Sequence, residues 1–219
     1  MRMLNRGGVL NKPNVSFVDE DSSVRYLVDI KIKYEYVDLG LPSGLKWATC
    51  NIGANSPEEY GLYFAWGETT GYTAEQVTSG VRAFTEDEYN AGPAASISSD
   101  LTLEQDAAHV NMGGNWRMPT EAEWQELIDN CDVVWTEDYN GTGIKGTVFT
   151  SRVNENSVFL PAAGGCIDMQ VDYVGEIGNY WSASWSSPYF VPQLSFDSEY
   201  QGLSNHDRYY GQSIRAVCE

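Results

Sequence analysis

The stretch GGNWRMPTEAEWQELIDNC, residues 113–131, sets the secondary-structure reading of this chain. Thr120 stands three residues ahead of Glu123, just after Pro119. In that pattern hydroxyl and carboxylate each accept a hydrogen bond from the other residue's backbone N–H at a helix start. Trp124, Leu127, Ile128 and Cys131 then fall at i, i+3, i+4 and i+7, one apolar stripe on a 3.6-residue helix. The spacing predicts a helix over 120–131 with its stripe against a core. A weaker copy lies upstream in TLEQDAAHV (102–110), with Thr102 before Gln105 and Gly113-Gly114 as its stop.

Around these helices the text reads as short strands divided by turns. KGTVFTSRV (145–153) and NSVFLPAAGG (156–165) form a neighbouring pair about a turn at 154–156. PQLSFDS (192–198) alternates, which predicts Leu194 and Phe196 inward and Gln193, Ser195 and Asp197 outward. VRYLVDIKIKYEYVDL (24–39) alternates as one or two strands, with NKPNVSFVDEDSS (11–23) as a lead-in. Residues 1–36 are too few to bury a core alone and are read as an attachment arm or oligomerisation piece. Residues 37–219 are read as one domain. The expected class is α+β, with two helices, short antiparallel strands and long loops.

Thirteen basic against 31 acidic residues give a net charge of -18, with no local Lys/Arg cluster to offset it. Such a field repels phosphate backbones and anionic lipid heads, so nucleic acid is not an expected partner. No run is apolar and long enough for membrane insertion. The opening MRMLNRGGVLNKPN carries Arg2 and Arg6 but lacks the apolar stretch of a secretory signal. The expectation is therefore a removed signal, or a protein assembled in a cytoplasm as phage structural proteins are. Cys50, Cys131, Cys166 and Cys218 form no CxxC pair, and His109 and His206 lie far apart, so no zinc site is expected. No Asp-x-Asp-x-Asp-Gly loop occurs, and no metal or cofactor is assigned. Two disulfides and four buried thiols both remain open. Trp47, Trp66, Trp116, Trp124 and Trp181 read as core. Arg117, in a Gly-rich turn, reads as an internal ion pair or, alternatively, an anion contact.

One segment departs from this pattern. In WSSPYFVPQLSFDSEYQGLSNHDRYY (185–210), Tyr189, Phe190, Tyr200, Tyr209 and Tyr210 are scattered among Ser, Asp, Asn, Gly and Pro. Tyr covers large area at low entropic cost and keeps a hydroxyl, the composition that paratopes favour. The competing reading is that these rings plug a Trp-rich core.

The words VDLGLPSGLKWATCNIGA (37–54), YGLYFAWGET (60–69), GGNWRMPTEAEWQELIDNC (113–131), FLPAAG (159–164), GNYWSAS (178–184) and RYYGQSIRAV (208–217) together resemble a known family. It comprises gut-bacterial and phage proteins with a C-type-lectin-like domain, related to formylglycine-generating enzymes and to the variable proteins of diversity-generating retroelements. The resemblance implies a C-type-lectin-like fold with its terminal strands paired. It also implies a diversified upper surface carried by the C-terminal positions, here 184–210. Tyr180, Trp181, Ser182, Leu194, Phe196, Gly211, Ser213, Ile214 and Arg215 match the framework there, while Val191-Pro192 departs from it. Such retroelements randomise adenines, chiefly in Asn codons, which cannot yield Trp, Met, Lys, Glu or Gln. Between Ser186 and Tyr210 only Gln193, Glu199 and Gln201 fail that filter, and Trp185 fails it just outside.

The expected function is non-catalytic capture of an unknown protein or glycan receptor. The expected ligand-binding residues are Ser184, Trp185, Ser187, Tyr189, Phe190, Gln193, Ser195, Asp197, Tyr200, Asn205, His206, Asp207, Tyr209 and Tyr210. The expected location is a phage particle or bacterial cell surface, with homo-oligomer or particle assembly through the N-terminal segment. The alternative is a lectin or adhesin module of fixed specificity. An oxidase like the formylglycine-generating enzymes ranks lower. Those enzymes bind copper through paired cysteines, and neither Cys166 nor Cys218 matches a catalytic motif.

Overall fold

The computed structural model describes residues 15–16, 27–28 and 34–219. The chain divides into two compact units, Met1–Tyr34 and Glu35–Glu219. In the first, β1 (Val15–Ser16) pairs antiparallel with β2 (Leu27–Val28). The alternation read over 29–33, and most of the lead-in before it, lie outside the described residues.

The second unit contains eleven strands in four small antiparallel sheets, with 18% helix against 31% strand. This predominantly β arrangement corrects the expected α+β, C-type-lectin-like class with two helices. Four short helices decorate the sheets: α1 (Ala74–Thr78), α2 (Glu86–Asn90), α3 (Ala107–Met112) and α4 (Glu121–Asn130). Three of them are at most six residues long, so they cap turns without forming a layer of their own. The four sheets carry the framework.

The predicted stripe of α4 is present. Thr120 Oγ1 accepts from the Glu123 N–H at 3.3 Å, and a Glu123 carboxylate oxygen accepts from the Thr120 N–H at 2.8 Å. Trp124 and Leu127 are fully buried. Burying an indole removes about 150–250 Å² from water, on the order of 5 kcal/mol of transfer free energy. The stripe's last member, Cys131, lies just beyond the helix as the first residue of β5 (Cys131–Thr136). The weaker helix is shorter than expected. Asp106, whose carboxylate accepts from the His109 N–H, is its N-cap, and Thr102–Gln105 is only a turn. Gly113, at φ +71°, ends it as predicted.

β5 continues into β6 (Gly146–Ser151) and β7 (Ser157–Pro161), the pair read about 154–156. β3 (Tyr36–Asp38), β4 (Lys46–Ala48) and the C-terminal β13 (Val217–Cys218) form a second sheet, in the order β13-β4-β3. Val217 also exchanges backbone hydrogen bonds with Arg117. β8 (Gly165–Ile167) and β9 (Gln170–Asp172) make a small hairpin. The fourth sheet, β10 (Gly178–Trp181), β11 (Phe190–Phe196) and β12 (Gln201–Asp207), carries the segment singled out in the sequence.

That fourth sheet is covered on both faces. Cross-strand partners share a face, and Tyr180, Leu194 and Phe196 pack into one core with Trp47, Trp124 and Phe149. Trp181 and Val191 pack into the other core with Trp66, Phe64 and Ile214. Three indole N–H groups stitch the sheet to its surroundings: Trp181 donates to Phe64 O, Trp66 to Ser182 O and Trp124 to Trp181 O. Trp47, Trp66, Trp124 and Trp181 are fully buried and Trp116 is half-buried, as core residues should be. Arg117 makes a two-pronged ion pair with Glu123, at 2.7 and 2.6 Å, matching the internal reading of that arginine.

Candidate functional site

The β11–β12 hairpin decides which candidate residues share a surface. Its register pairs Phe190 with Asp207 at one end and Phe196 with Gln201 at the other. At about 3.3 Å per residue the two ends are roughly 20 Å apart. Phe190, Asn205, His206 and Asp207 therefore lie toward the first end, and Tyr189, Tyr209 and Tyr210 flank that end in the chain. Phe190, Asn205 and Asp207 share one face, with His206, opposite Val191, on the other. Asp197 and Tyr200 sit at the second. There the Asp197 carboxylate accepts from the N–H groups of Glu199 and Tyr200, building the turn itself.

At the first end, Tyr189 is 68% exposed and Phe190 46%, with their rings 6.5 Å apart. His206 stacks edge-on to Tyr210 at 4.3 Å, and Tyr209 tilts against Tyr210 at 5.0 Å. Tyr209 and Tyr210 are half-buried and also pack on the core, so each serves both readings of the aromatics. The loop before β11 is held in place by its serines. Ser187 Oγ accepts from the Phe190 N–H, and Ser186 Oγ reaches Asn205 Oδ1 at 2.9 Å, tying the loop to β12. Trp185 donates its backbone N–H to Asp100 and rests half-buried on the core.

Other predicted residues serve the fold. Ser184 Oγ accepts from the N–H of Glu121, the first residue of α4. Gln193, expected to face outward, is buried. Its amide nitrogen donates to Asn179 and Ser204, while Ser195 Oγ donates to Asn179. Alternation misplaced Gln193 because this sheet has a core on each face, so period 2 no longer separates inside from outside.

Sequence reasoning missed Arg208, the residue that fastens the site. Its side chain is fully buried, with the guanidinium 4.7 Å from the Trp66 ring and 5.6 Å from Tyr89. Its two terminal nitrogens donate to Pro188 O at 3.1 Å and Ala94 O at 2.7 Å. It makes no ion pair among the described residues. Its place beside Tyr209 and Tyr210 was the available signal, because an Arg guanidinium stacks on aromatic faces, although the rings it meets are Trp66 and Tyr89.

The electrostatics follow from burial. Desolvation holds the His206 imidazole below its ordinary pKa, so the ring is neutral near pH 7, and its Nδ1 has no partner among the described residues. The Tyr209 phenol is pushed up to about 12, by desolvation first and by Asp207 second. Trp185 Nε1 is likewise buried and unpartnered.

The four cysteines are free thiols. Burial raises Cys131 to about 11 and drives Cys166 higher still. Among the described residues no three His, Cys, Asp or Glu side chains converge as a metal site, and no helix is long and apolar enough to cross a membrane. Compared with known proteins, the chain matches no family model, no curated protein and no solved structure.

Proposed function

We propose that the end of the β11–β12 hairpin formed by Trp185, Ser187, Tyr189, Phe190, Asn205, His206, Asp207, Tyr209 and Tyr210 captures a protein or glycan receptor without catalysing its conversion. The observation that carries this reading is the pair of neighbouring exposed rings, Tyr189 and Phe190, mounted on a sheet packed on both faces. Exposed aromatics bury apolar area on contact. Asn205, Asp207 and the tyrosine hydroxyls supply adjustable hydrogen bonds, and the packed strands limit the ordering cost of association. Gln193, Ser195 and Ser184 serve the fold, and Tyr200 and Asp197 stand apart from the site.

In this proposal the surface is diversified by a retroelement, and the N-terminal segment fixes the domain to a phage particle or cell surface. Many copies there turn modest single-site affinity into avidity. Sequencing the DNA around the gene tests the diversification. The expected result is a reverse transcriptase gene and a near-copy of the region encoding 180–215 whose differences fall only at adenines. A locus without any near-copy refutes diversification and leaves a surface of fixed specificity.

A further inference from the structure

The β11–β12 register sets an acid beside the exposed rings. Phe190 is paired with Asp207, so the two side chains stand on one face with Cβ atoms about 5 Å apart. Asn205, two residues back along β12, shares that face, and the exposed Tyr189 ring adjoins the exposed Phe190 ring. The Tyr189 carbonyl accepts from the Arg208 N–H at 3.1 Å, which fixes the loop against β12. Asp207 enters no ion pair among the described residues.

The domain has no cation to spare for it. Across residues 35–219, Arg82, Arg117, Lys145 and Arg152 are held in ion pairs. Arg208 and Arg215 are buried against carbonyl oxygens, and Lys46 lies over the Tyr36 ring. Arg208, next to Asp207 in the chain, turns its guanidinium inward onto Trp66 and Tyr89. The other flank of this end is acidic as well. The Tyr209 phenol is raised by desolvation and then by Asp207, with Glu86 contributing. Tyr210 is raised by desolvation and then by Asp207, with Asp168 and Asp172 contributing.

This combination narrows the chemistry of a partner. An anionic polymer would be repelled. A neutral sugar could stack on the rings, but it would strip water from carboxylates without neutralising them. A guanidinium meets both features, because it lies flat on an aromatic ring and donates a two-pronged hydrogen bond to a carboxylate.

We propose, building on the capture reading of this surface, that its partner is a polypeptide segment bearing exposed arginines, with one guanidinium against the Tyr189 and Phe190 rings and donating to Asp207. The test is fluorescence anisotropy of the full chain with labelled peptides of equal length, repeats of Gly-Arg-Ser, Gly-Gln-Ser and Gly-Glu-Ser. Salt is held at about 0.15 M, where charges more than about 8 Å apart are screened. The expected result is saturable binding of the arginine peptide alone. Tyr189→Ala/Phe190→Ala is expected to weaken it about tenfold, and Asp207→Asn about fivefold. Glu199→Gln removes the same charge from the far end of the hairpin, about 20 Å away, and leaves binding unchanged.

Equal affinity for the glutamine peptide overturns the proposal. So does arginine binding that survives Asp207→Asn, or that falls as much with Glu199→Gln. An unbound arginine peptide overturns it too, and a panel of neutral glycans then separates the two readings. A glycan bound by wild type and lost in Tyr189→Ala/Phe190→Ala leaves capture standing with a partner of other chemistry, whereas no bound glycan removes both.

Discussion

Replacing Arg208 with Met keeps a long side chain in place and removes the guanidinium, and the structure sets the size of the effect. Two charge-assisted hydrogen bonds disappear. Pro188 is exposed, so water replaces the donor on its carbonyl at little cost. Ala94 is buried, but its carbonyl keeps the Ile97 N–H as a donor, so what is lost there is one hydrogen bond to a charged group, about 1.5–3 kcal/mol. Loss of the cation–π contacts to Trp66 and Tyr89 removes about 2 kcal/mol more, the magnitude for a desolvated pair. Against this, a buried charge without a carboxylate partner carries a desolvation penalty of several kcal/mol, which Met does not incur. The balance is a net loss of about 1–3 kcal/mol, or a fall in Tm on the order of 5 °C for a unit of this size. Thermal unfolding by circular dichroism measures it. Limited proteolysis supplies a second readout, because Arg208 ties the loop at Pro188 to the turn at Ala94, and cleavage near 186–190 is expected to accelerate. An unchanged or raised Tm together with unchanged cleavage refutes the idea that this arginine fastens the binding end of the hairpin.

Gly164 has φ +69°, and an added Cβ would meet the Asp172 carbonyl oxygen at 2.0 Å. Left-handed strain and a backbone clash together put Gly164→Ala at a loss of roughly 2–5 kcal/mol, read from urea denaturation midpoints; a loss below about 1 kcal/mol contradicts the geometry. His206 has a folded-state pKa depressed by burial, so the unfolded chain takes up the proton first as pH falls below about 6.5. The stability that this ring contributes is therefore present above that pH and lost below it. Wild type is expected to lose more stability between pH 8 and pH 5 than His206→Gln, in paired thermal melts where Glu68 and Asp106, both raised by burial and so opposite in sign, are common to both proteins. Parallel pH profiles for the two contradict it.

Much of the framework was legible because local signals and packing agree there. The Thr120–Glu123 box and the Trp124 stripe mark α4, and the turn at 154–156 marks the β6–β7 pair. Two other Thr-x-x-Gln/Glu patterns, at Thr73–Gln76 and Thr85–Glu88, do cap α1 and α2, but five-residue helices are too short to show a periodic stripe. At Thr102–Gln105 the same pattern builds only a turn, because Asp106 captures the His109 N–H and starts the helix later. β5 was hidden in the sequence because it follows α4 without a turn, and because its Val134 is 59% exposed, which blurs the alternation. These short helices and extra strands shift the class from α+β to mainly β. Composition alone flagged the aromatic segment. It took the hairpin register, a long-range property, to separate Tyr200 from Tyr189 and Phe190, and a sheet covered on both faces to bury Gln193.

The most direct test of the receptor surface compares wild type, Tyr189→Ala/Phe190→Ala and Tyr200→Ala on one immobilised panel of bacterial surface glycans and outer-surface proteins. All three substituted side chains are exposed, so the fold is expected to tolerate each change. The account predicts that wild type binds at least one panel member, that the double variant binds it at least tenfold more weakly, and that Tyr200→Ala binds it as wild type does. Equal binding by wild type and the double variant, or a loss confined to Tyr200→Ala, would contradict it.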